Sequence, residues 1–134
     1  MNHKISIVGG GNLGTAIAEG LIKSGFIAPS HILITKRNIS TIQHLKDQGV
    51  HVSDNNEDAL AFADFILFAV KPFQIKEILQ SMKSNLVAGK HVISSVITGV
   101  WINDIKTIIG DGFTIFRAMP NTAIAIQQSI DRKS

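Results

Sequence analysis

The chain has 134 residues, of which 45% are hydrophobic and 17% charged, and its formal net charge is +3. This composition predicts one soluble globular domain and excludes a disordered chain. Apart from two basic pairs, at 36–37 and 132–133, the basic residues are scattered, which argues against a nucleic-acid partner. Cysteine is absent and the five histidines lack ligand-like spacing, so we expect no disulfide and no metal site. No apolar run approaches the roughly 20 residues of a membrane span, and no signal peptide is evident; we expect a cytoplasmic protein with no membrane partner.

Residues 4–25 have the pattern of a strand, a tight turn and a helix. Gly9, Gly11 and Gly14 occupy the three glycine positions of a GxGxxG fingerprint at the turn. In such a fingerprint the glycines permit, in order, the sharp turn, the approach of a pyrophosphate to the backbone, and close packing of helix on strand. The N–H groups at the start of the helix also favour an anion. We therefore predict dinucleotide binding; the alternative is a glycine-rich turn without a ligand.

The rest of the chain alternates predicted strands with predicted helices. Six strands separated by helices of about ten residues are typical of a Rossmann-type α/β fold, a doubly wound and mainly parallel sheet in a single domain. The continuously apolar run at 64–70 favours a strand buried on both faces. The later strands are predicted at 31–35, 50–52, 64–70, 91–94 and 113–117. The later helices are predicted to begin at Asn38 or Ser40, at Asp54 or Asn55, at Pro72 and at Trp101.

The end of the second strand indicates which dinucleotide is preferred. An NAD site usually has Asp or Glu there, about 20 residues beyond the glycines, to bind the ribose hydroxyl. This chain has Thr35, Lys36, Arg37 and Asn38 instead. Two cations attract a 2′-phosphate, and a guanidinium can hold it through two hydrogen bonds. We predict NADP(H) over NAD(H); the alternative is that both cations are solvated loop charges.

Three further strand ends carry residues suited to a ligand. Lys71 follows the fourth strand and precedes a proline, at the expected mouth of the cofactor crevice, although an exposed loop lysine is the alternative. Residues 94–100 supply small hydroxyls and a glycine after the fifth strand. After the sixth strand, the Asn121 amide and the Thr122 hydroxyl are predicted to reach a nicotinamide or a substrate.

Four segments, GGGNLGTAIAEGL, FAVKP, SSVITGV and RAMPNT, occur in this order and together resemble the N-terminal domain of the pyrroline-5-carboxylate reductase family. The resemblance covers residues 5–122, nearly the whole chain, and AVKP and MPNT are its most specific parts. It implies hydride transfer from NAD(P)H to the C=N bond of 1-pyrroline-5-carboxylate, which gives L-proline in the last step of proline biosynthesis.

The resemblance also implies which residues bind, and it assigns no catalytic residue and no metal ligand within this chain. Asn56 is implied by the resemblance alone, because by itself it is typical of a helix start. The implied cofactor contacts are Val8, Gly9, Gly10, Gly11, Asn12, Leu13, Thr35, Lys36, Arg37, Asn56, Ala69, Val70, Lys71 and Thr98. The implied substrate-side residues are Met119, Pro120, Asn121 and Thr122.

One departure from the family concerns the region after MPNT. There the family continues into a helical domain that builds the dimer and supplies much of the substrate pocket, including the proton-donating hydroxyl. This chain has Ala123 where the family has proline, and it ends at Ser134. We expect residues 1–122 to form the NADP-binding domain and 123–134 to be a stub leading to an absent helical domain. We expect the chain alone to be inactive and the intact enzyme to be a homo-oligomer acting on a small molecule.

Two other functions remain open on the sequence. One is a different NADP-dependent reductase of imines or 3-hydroxyacids. The other is a stand-alone, non-catalytic NADP-binding module, which the fold by itself does not exclude.

Overall fold

Strands and helices alternate along the residues that the computed structural model describes, which are 3–97, 99–117 and 123–133. No helix in these ranges is both long and apolar enough to cross a membrane. The strands are β1 (Ile5–Val8), β2 (Ile32–Thr35), β3 (His51–Ser53), β4 (Phe65–Phe68), β5 (Val92–Ser95) and β6 (Thr114–Arg117). The helices are α1 (Asn12–Lys23), α2 (Gln43–Asp47), α3 (Glu57–Phe62), α4 (Ile75–Met82), α5 (Ile102–Ile109) and α6 (Ala123–Lys133).

The six strands form one sheet in the order β3-β2-β1-β4-β5-β6. Every neighbouring pair is parallel. This is the strand order of the Rossmann fold, so the predicted fold class is confirmed. The order reverses between β1 and β4, and ligands of such sheets bind at this switch point, outside the carboxyl ends of the strands.

Each face of the sheet is covered by a separate apolar core. On one face, Ile7 and Ile34 pack with residues of α1, α2 and α6. On the other, Ile66 and Phe68 pack with residues of α3, α4 and α5. All four residues of β4 are buried, as predicted from the apolar run around them. Helices therefore cover both faces of the sheet, and the loops that follow the strands lie at its carboxyl edge.

Two helices are shorter than the predicted ten residues. Helix α2 has five residues, because the helical pattern before it forms a 3-10 turn over Ile39–Ile42. The Asn38 side-chain oxygen accepts a hydrogen bond from the Ser40 N–H at 3.2 Å and caps that turn. Helix α3 has six residues and ends at Ala63, whose extended backbone leads directly into β4. Both helices are present, but they begin later than predicted: α2 begins at Gln43 and not at Asn38 or Ser40, and α3 begins at Glu57 and not at Asp54 or Asn55.

Helix α6 was not predicted as an element, since residues 123–134 were expected to be a stub leading to an absent helical domain. Its Ile126 and Ile130 side chains are 0% and 2% exposed and belong to the same core as α1. The Gln127 amide also donates a hydrogen bond to the Ser24 hydroxyl, at 3.0 Å, just beyond the end of α1. Helix α6 therefore packs on the sheet beside α1.

The contribution of α6 to stability can be measured with Ile126→Ala. We expect a loss of about 2–5 kcal/mol in the free energy of unfolding, the range for truncating a buried isoleucine. Urea denaturation measures it, with Gln128→Ala as the control, because Gln128 is exposed on the same helix. The control should stay within about 0.5 kcal/mol of the unsubstituted chain. Equal stability of both variants would contradict the docking of α6 on the core.

Candidate functional site

The loop between β1 and α1 lies where three strands come together at the carboxyl edge. Gly9 has a positive φ of 116°, and its N–H donates to the Thr35 carbonyl at 3.2 Å. A Cβ atom on Gly9 would lie 2.7 Å from the Ala69 carbonyl oxygen. The loop backbone is therefore held between the ends of β2 and β4, and only glycine fits at this position.

The other two glycines of the fingerprint have opposite surroundings. A Cβ atom on Gly14 would lie only 1.9 Å from the Gly9 carbonyl oxygen. At Gly11 a Cβ atom would meet nothing within 4 Å. Gly14 thus permits α1 to pack on the turn, whereas Gly11 leaves backbone open on the side of the crevice. This division matches the roles expected of a dinucleotide loop.

The first turn of α1 presents backbone N–H groups without a side-chain cap. Gly11 is the N-cap residue, and it has no side chain to accept a hydrogen bond. The first turn contains no acidic residue, so no carboxylate in that turn offsets the positive end of the helix dipole. Such a helix start favours an anionic group, and it opens beside the exposed backbone of Gly11.

A cavity of about 280 Å³ lies between the start of α1 and the segment that follows β2. Lys36 is half-buried in its wall, whereas Arg37 is exposed and does not line it. A Cβ atom on Gly10 would lie 3.1 Å from the Lys36 Cβ, so the two loops are in close contact there. The lining residues are Gly10, Gly11, Asn12, Thr15, Ala16, Glu19, Lys36, Thr41 and His44. The structure thus brings the glycine loop and Lys36 together around one space.

A contact between two polar side chains joins α1 and α2 in the wall of this cavity. The His44 Nε2 atom of α2 lies 3.3 Å from a carboxylate oxygen of Glu19 on α1. Sequence reasoning selected neither residue, because their 25-residue separation gives no sign that α1 and α2 meet here.

Asn56 lies beside the end of β2. The Thr35 side chain is 2% exposed, and its hydroxyl donates to the Asn56 side-chain oxygen at 2.7 Å. Asn56 is the residue that precedes α3, so this bond ties β2 to α3. The helix-start signal in the sequence was right for Asn56, but only the fold shows that it adjoins Thr35.

The residues after β4 line the switch point. The Ala69 N–H donates to the Val8 carbonyl at 2.9 Å and continues the pairing of β1 with β4 beyond both strands. Val70 is half-buried, and Lys71 is exposed at the start of the next turn. Val8 itself is buried, and the half-buried Leu13 packs against the opposite core. Any ligand contact at Val8 therefore comes from its backbone.

At the carboxyl end of β6, Arg117 stacks on Trp101, a contact that the sequence analysis missed. The Arg117 guanidinium carbon lies 4.2 Å from the centroid of the Trp101 ring. Arg117 Nε also donates to the Val100 carbonyl at 3.0 Å. Trp101 is 60% exposed, and this lone tryptophan after a strand end was the available signal. Of the predicted site residues, Thr98, Met119, Pro120, Asn121 and Thr122 lie outside the described residues.

The site lies within a stretch that matches a known protein family. Residues 4–97 match the family described as NADP oxidoreductase, coenzyme F420-dependent. The chain belongs to this family. The matched residues include the glycine loop, the whole lining of the cavity, Asn56 and Lys71, so the site falls in the part of the chain that carries the family likeness.

The resemblance predicted from the motifs is also confirmed. The chain is 42% identical over 129 residues to pyrroline-5-carboxylate reductase 1 of Dictyostelium discoideum. The aligned residues cover 96% of this chain and 23% of that protein. The chain is 34% identical over 123 residues to pyrroline-5-carboxylate reductase of Escherichia coli (strain K12), which covers 91% of this chain and 45% of that protein. The chain thus spans less than half the length of these relatives.

Solved structures of the same kind share the fold. A pyrroline-5-carboxylate reductase of Coxiella burnetii is 35% identical, with a TM-score of 0.83 over 91% of this chain and 45% of that one. The Plasmodium falciparum pyrroline carboxylate reductase, solved with NADP bound, has a TM-score of 0.77 over 90% of this chain and 43% of that one. At 23% identity the second comparison shows the fold alone.

The contrast between two glycines gives a stability prediction. We expect Gly14→Ala to lower the free energy of unfolding by about 3 kcal/mol, the upper end of the usual cost of overpacking. The added Cβ would meet a backbone carbonyl, which cannot turn aside as a side chain can. In an ordinary helix the same change stabilises by about 1 kcal/mol, so the sign is diagnostic.

Gly11→Ser is the matched control, measured by the same urea denaturation. Its Cβ enters open space, and serine is a good N-cap residue, so stability should stay within about 0.5 kcal/mol or rise. A Gly14→Ala variant as stable as the unsubstituted chain would contradict the close packing of α1 on the turn.

Proposed function

We propose that this chain is the cofactor-binding part of a pyrroline-5-carboxylate reductase. The reaction is hydride transfer from NAD(P)H to the C=N bond of 1-pyrroline-5-carboxylate, which gives L-proline. The observation that carries the proposal is the open backbone at Gly11, beside a cavity lined by Lys36 at the carboxyl end of β2. The motifs and the relatives of that name support this substrate over other imines or hydroxyacids.

The glycine loop fits the pyrophosphate of a dinucleotide. A ligand oxygen can approach the backbone at Gly11, because no side chain occupies that space. The uncapped first turn of α1 supplies N–H donors and a favourable dipole for two phosphate charges. Asn12 is exposed at the same end, where its side chain is available to the ligand. These residues bind and orient the phosphates and take no part in proton transfer.

The segment after β2 fits the adenosine end of NADP. Lys36 contributes a positive charge to the cavity wall, and the next residue, Arg37, is an exposed cation. Thr35 is the last residue of β2, and its hydrogen bond holds Asn56 beside the end of that strand. A 2′-phosphate would gain charge-assisted hydrogen bonds here, which a ribose hydroxyl would not.

The residues after β4 and β5 fit the nicotinamide end. The Ala69–Val8 hydrogen bond fixes the backbone at the switch point, and the small Ala69 side chain leaves the crevice accessible. After β5, the Ser95 hydroxyl accepts a hydrogen bond from the Ile97 N–H at 3.2 Å and shapes the turn that follows. When bound, the nicotinamide supplies the hydride, and the residues of this chain hold its ring in position.

The remainder of the active site belongs to a second domain in this proposal. The relatives are about twice as long as the chain or longer, and we assign the opposite wall of the substrate pocket and the proton donor to their additional residues. The boundary near residue 122 and a homo-oligomeric intact enzyme are parts of the same proposal. A cytoplasmic location, without nucleic-acid or membrane partners, stays a prediction from the sequence.

The preference for NADP(H) can be tested by calorimetric titration of the chain with NADPH and NADH. We expect tighter binding of NADPH. Lys36→Gln should cost about 1.5–3 kcal/mol of NADPH binding free energy, the range for a charge-assisted hydrogen bond, and should spare NADH. Arg37→Asp should act in the same direction, since it replaces an exposed cation next to Lys36 by an anion.

Two controls accompany this titration. Lys46→Gln removes an exposed charge of α2 that does not line the cavity, and it should change neither affinity. Gly11→Val fills the open space at the loop and should abolish binding of both nucleotides while the thermal unfolding transition is retained. Equal affinity of the unsubstituted chain for NADPH and NADH would refute the preference, and a Gly11→Val variant that binds normally would refute the site.

The proposed division of labour predicts that the 134-residue chain binds NADPH but does not oxidise it. Hydride transfer needs the substrate carbon held at roughly 3–3.5 Å from the nicotinamide, and such positioning supplies about 7–11 kcal/mol. The strand-end loops hold the cofactor from one side only. The decrease of NADPH absorbance with 1-pyrroline-5-carboxylate is the measurement. Clear turnover by the purified chain would place a complete active site within these residues and overturn the prediction.

A further inference from the structure

The cavity proposed for the 2′-phosphate contains an acidic side chain. Glu19 lines it from α1, and its side chain is 49% exposed. A carboxylate on the wall of a phosphate site opposes the ligand, because like charges a few ångströms apart cost about 1 kcal/mol even in water. The proposed nucleotide site therefore requires some feature that offsets Glu19.

His44 lies in the position to offset it. Its Nε2 atom is 3.3 Å from the Glu19 carboxylate, and it lines the same cavity from α2. The next residue, Leu45, is fully buried, as is Ile42 before it, so the backbone that carries His44 is anchored in the core. An imidazole held there by the fold can hold the carboxylate through an N–H group or neutralise it as a cation.

Three ionisable side chains line the cavity, those of Glu19, Lys36 and His44. Lys36 is the cation on the opposite segment. Thr41 is neutral, and its hydroxyl donates to the Asn38 carbonyl at 2.8 Å. With the Glu19 carboxylate held by His44, Lys36 is the lysine that faces a phosphate in this cavity. With Glu19 unpaired, the carboxylate would cancel much of the attraction of Lys36 for a phosphate.

We propose that the Glu19–His44 pair determines how strongly this site prefers a 2′-phosphate over a 2′-hydroxyl. The pair acts through charge on the proposed nucleotide site, on whose existence this inference rests. Glu19 is not in the position of the acidic residue that binds the ribose in NAD sites, because that residue follows the second strand. His44 is a positioning residue that holds the Glu19 carboxylate in the cavity wall.

The experiment is a double-mutant cycle read by calorimetric titration with NADPH and, separately, with NADH. His44→Gln should weaken NADPH binding about three- to fivefold, the size of one exposed charge interaction. Glu19→Gln should tighten NADPH binding by a similar factor. The double variant should behave like Glu19→Gln, because no carboxylate is left for His44 to hold. NADH affinity should stay constant throughout, a split that a merely structural role would not produce.

Glu77→Gln is the matched control, since it removes an exposed carboxylate of α4 that does not line the cavity. It should change neither affinity. Raising the salt concentration from 0.05 to 0.5 M should shrink the differences among the variants, because exposed charges are screened. Thermal unfolding of each variant should match that of the unsubstituted chain, since both side chains are about half exposed.

Each failure has a separate meaning. If the unsubstituted chain binds neither NADPH nor NADH, the proposed function fails and this inference fails with it. If the chain binds both nucleotides, the inference alone is overturned by any of three results: an unchanged NADPH affinity in His44→Gln, weaker NADPH binding in Glu19→Gln, or equal shifts for both nucleotides.

Discussion

The contact between Gly14 and the Gly9 carbonyl is the constraint on which the rest of the site depends. The backbone of α1 comes so close to the turn that a single added carbon would lie 1.9 Å from that oxygen. Gly9 is in turn pressed against the Ala69 carbonyl and bonded to Thr35. Helix α1 therefore starts at the junction of β1, β2 and β4, and its N-terminus opens at the switch point of the sheet.

The buried core also positions the elements that surround both ends of the proposed ligand. Helix α1 is anchored on the sheet by Ile17 and Leu21, and α2 by Leu45. Because both helices pack on the same face, the side chains of Glu19 and His44 meet above the core, and the cavity forms between the helices. On the nicotinamide side, the position of Ala69 follows from its backbone bond to Val8. Binding groups on separate loops are thus placed by the packing of the elements beneath them.

Sequence periodicity was sufficient for the fold and for the glycine loop. Alternating strands and helices leave few topologies open, and each fingerprint glycine has a local steric role that its spacing reveals. The sequence could not predict contacts made between elements, such as Thr35 with Asn56, His44 with Glu19, or Arg117 with Trp101. These contacts depend on which helices adjoin and how far each one turns. Helix α6 escaped prediction for the same reason, because its apolar residues are meaningful only against α1.

The charges around the cavity differ in weight according to their exposure. Lys36 is half-buried in the wall, so its field is screened less by water and salt than that of the exposed Arg37. Discrimination between a phosphate and a hydroxyl should therefore depend mainly on Lys36, with Arg37 assisting the approach of an anionic ligand. The Glu19 carboxylate in the same wall weakens the attraction of Lys36 for a phosphate. In the proposed site, the contact of His44 with Glu19 offsets that effect without removing the acidic side chain, so substitutions at these two positions outside the glycine loop should change the strength of the proposed preference.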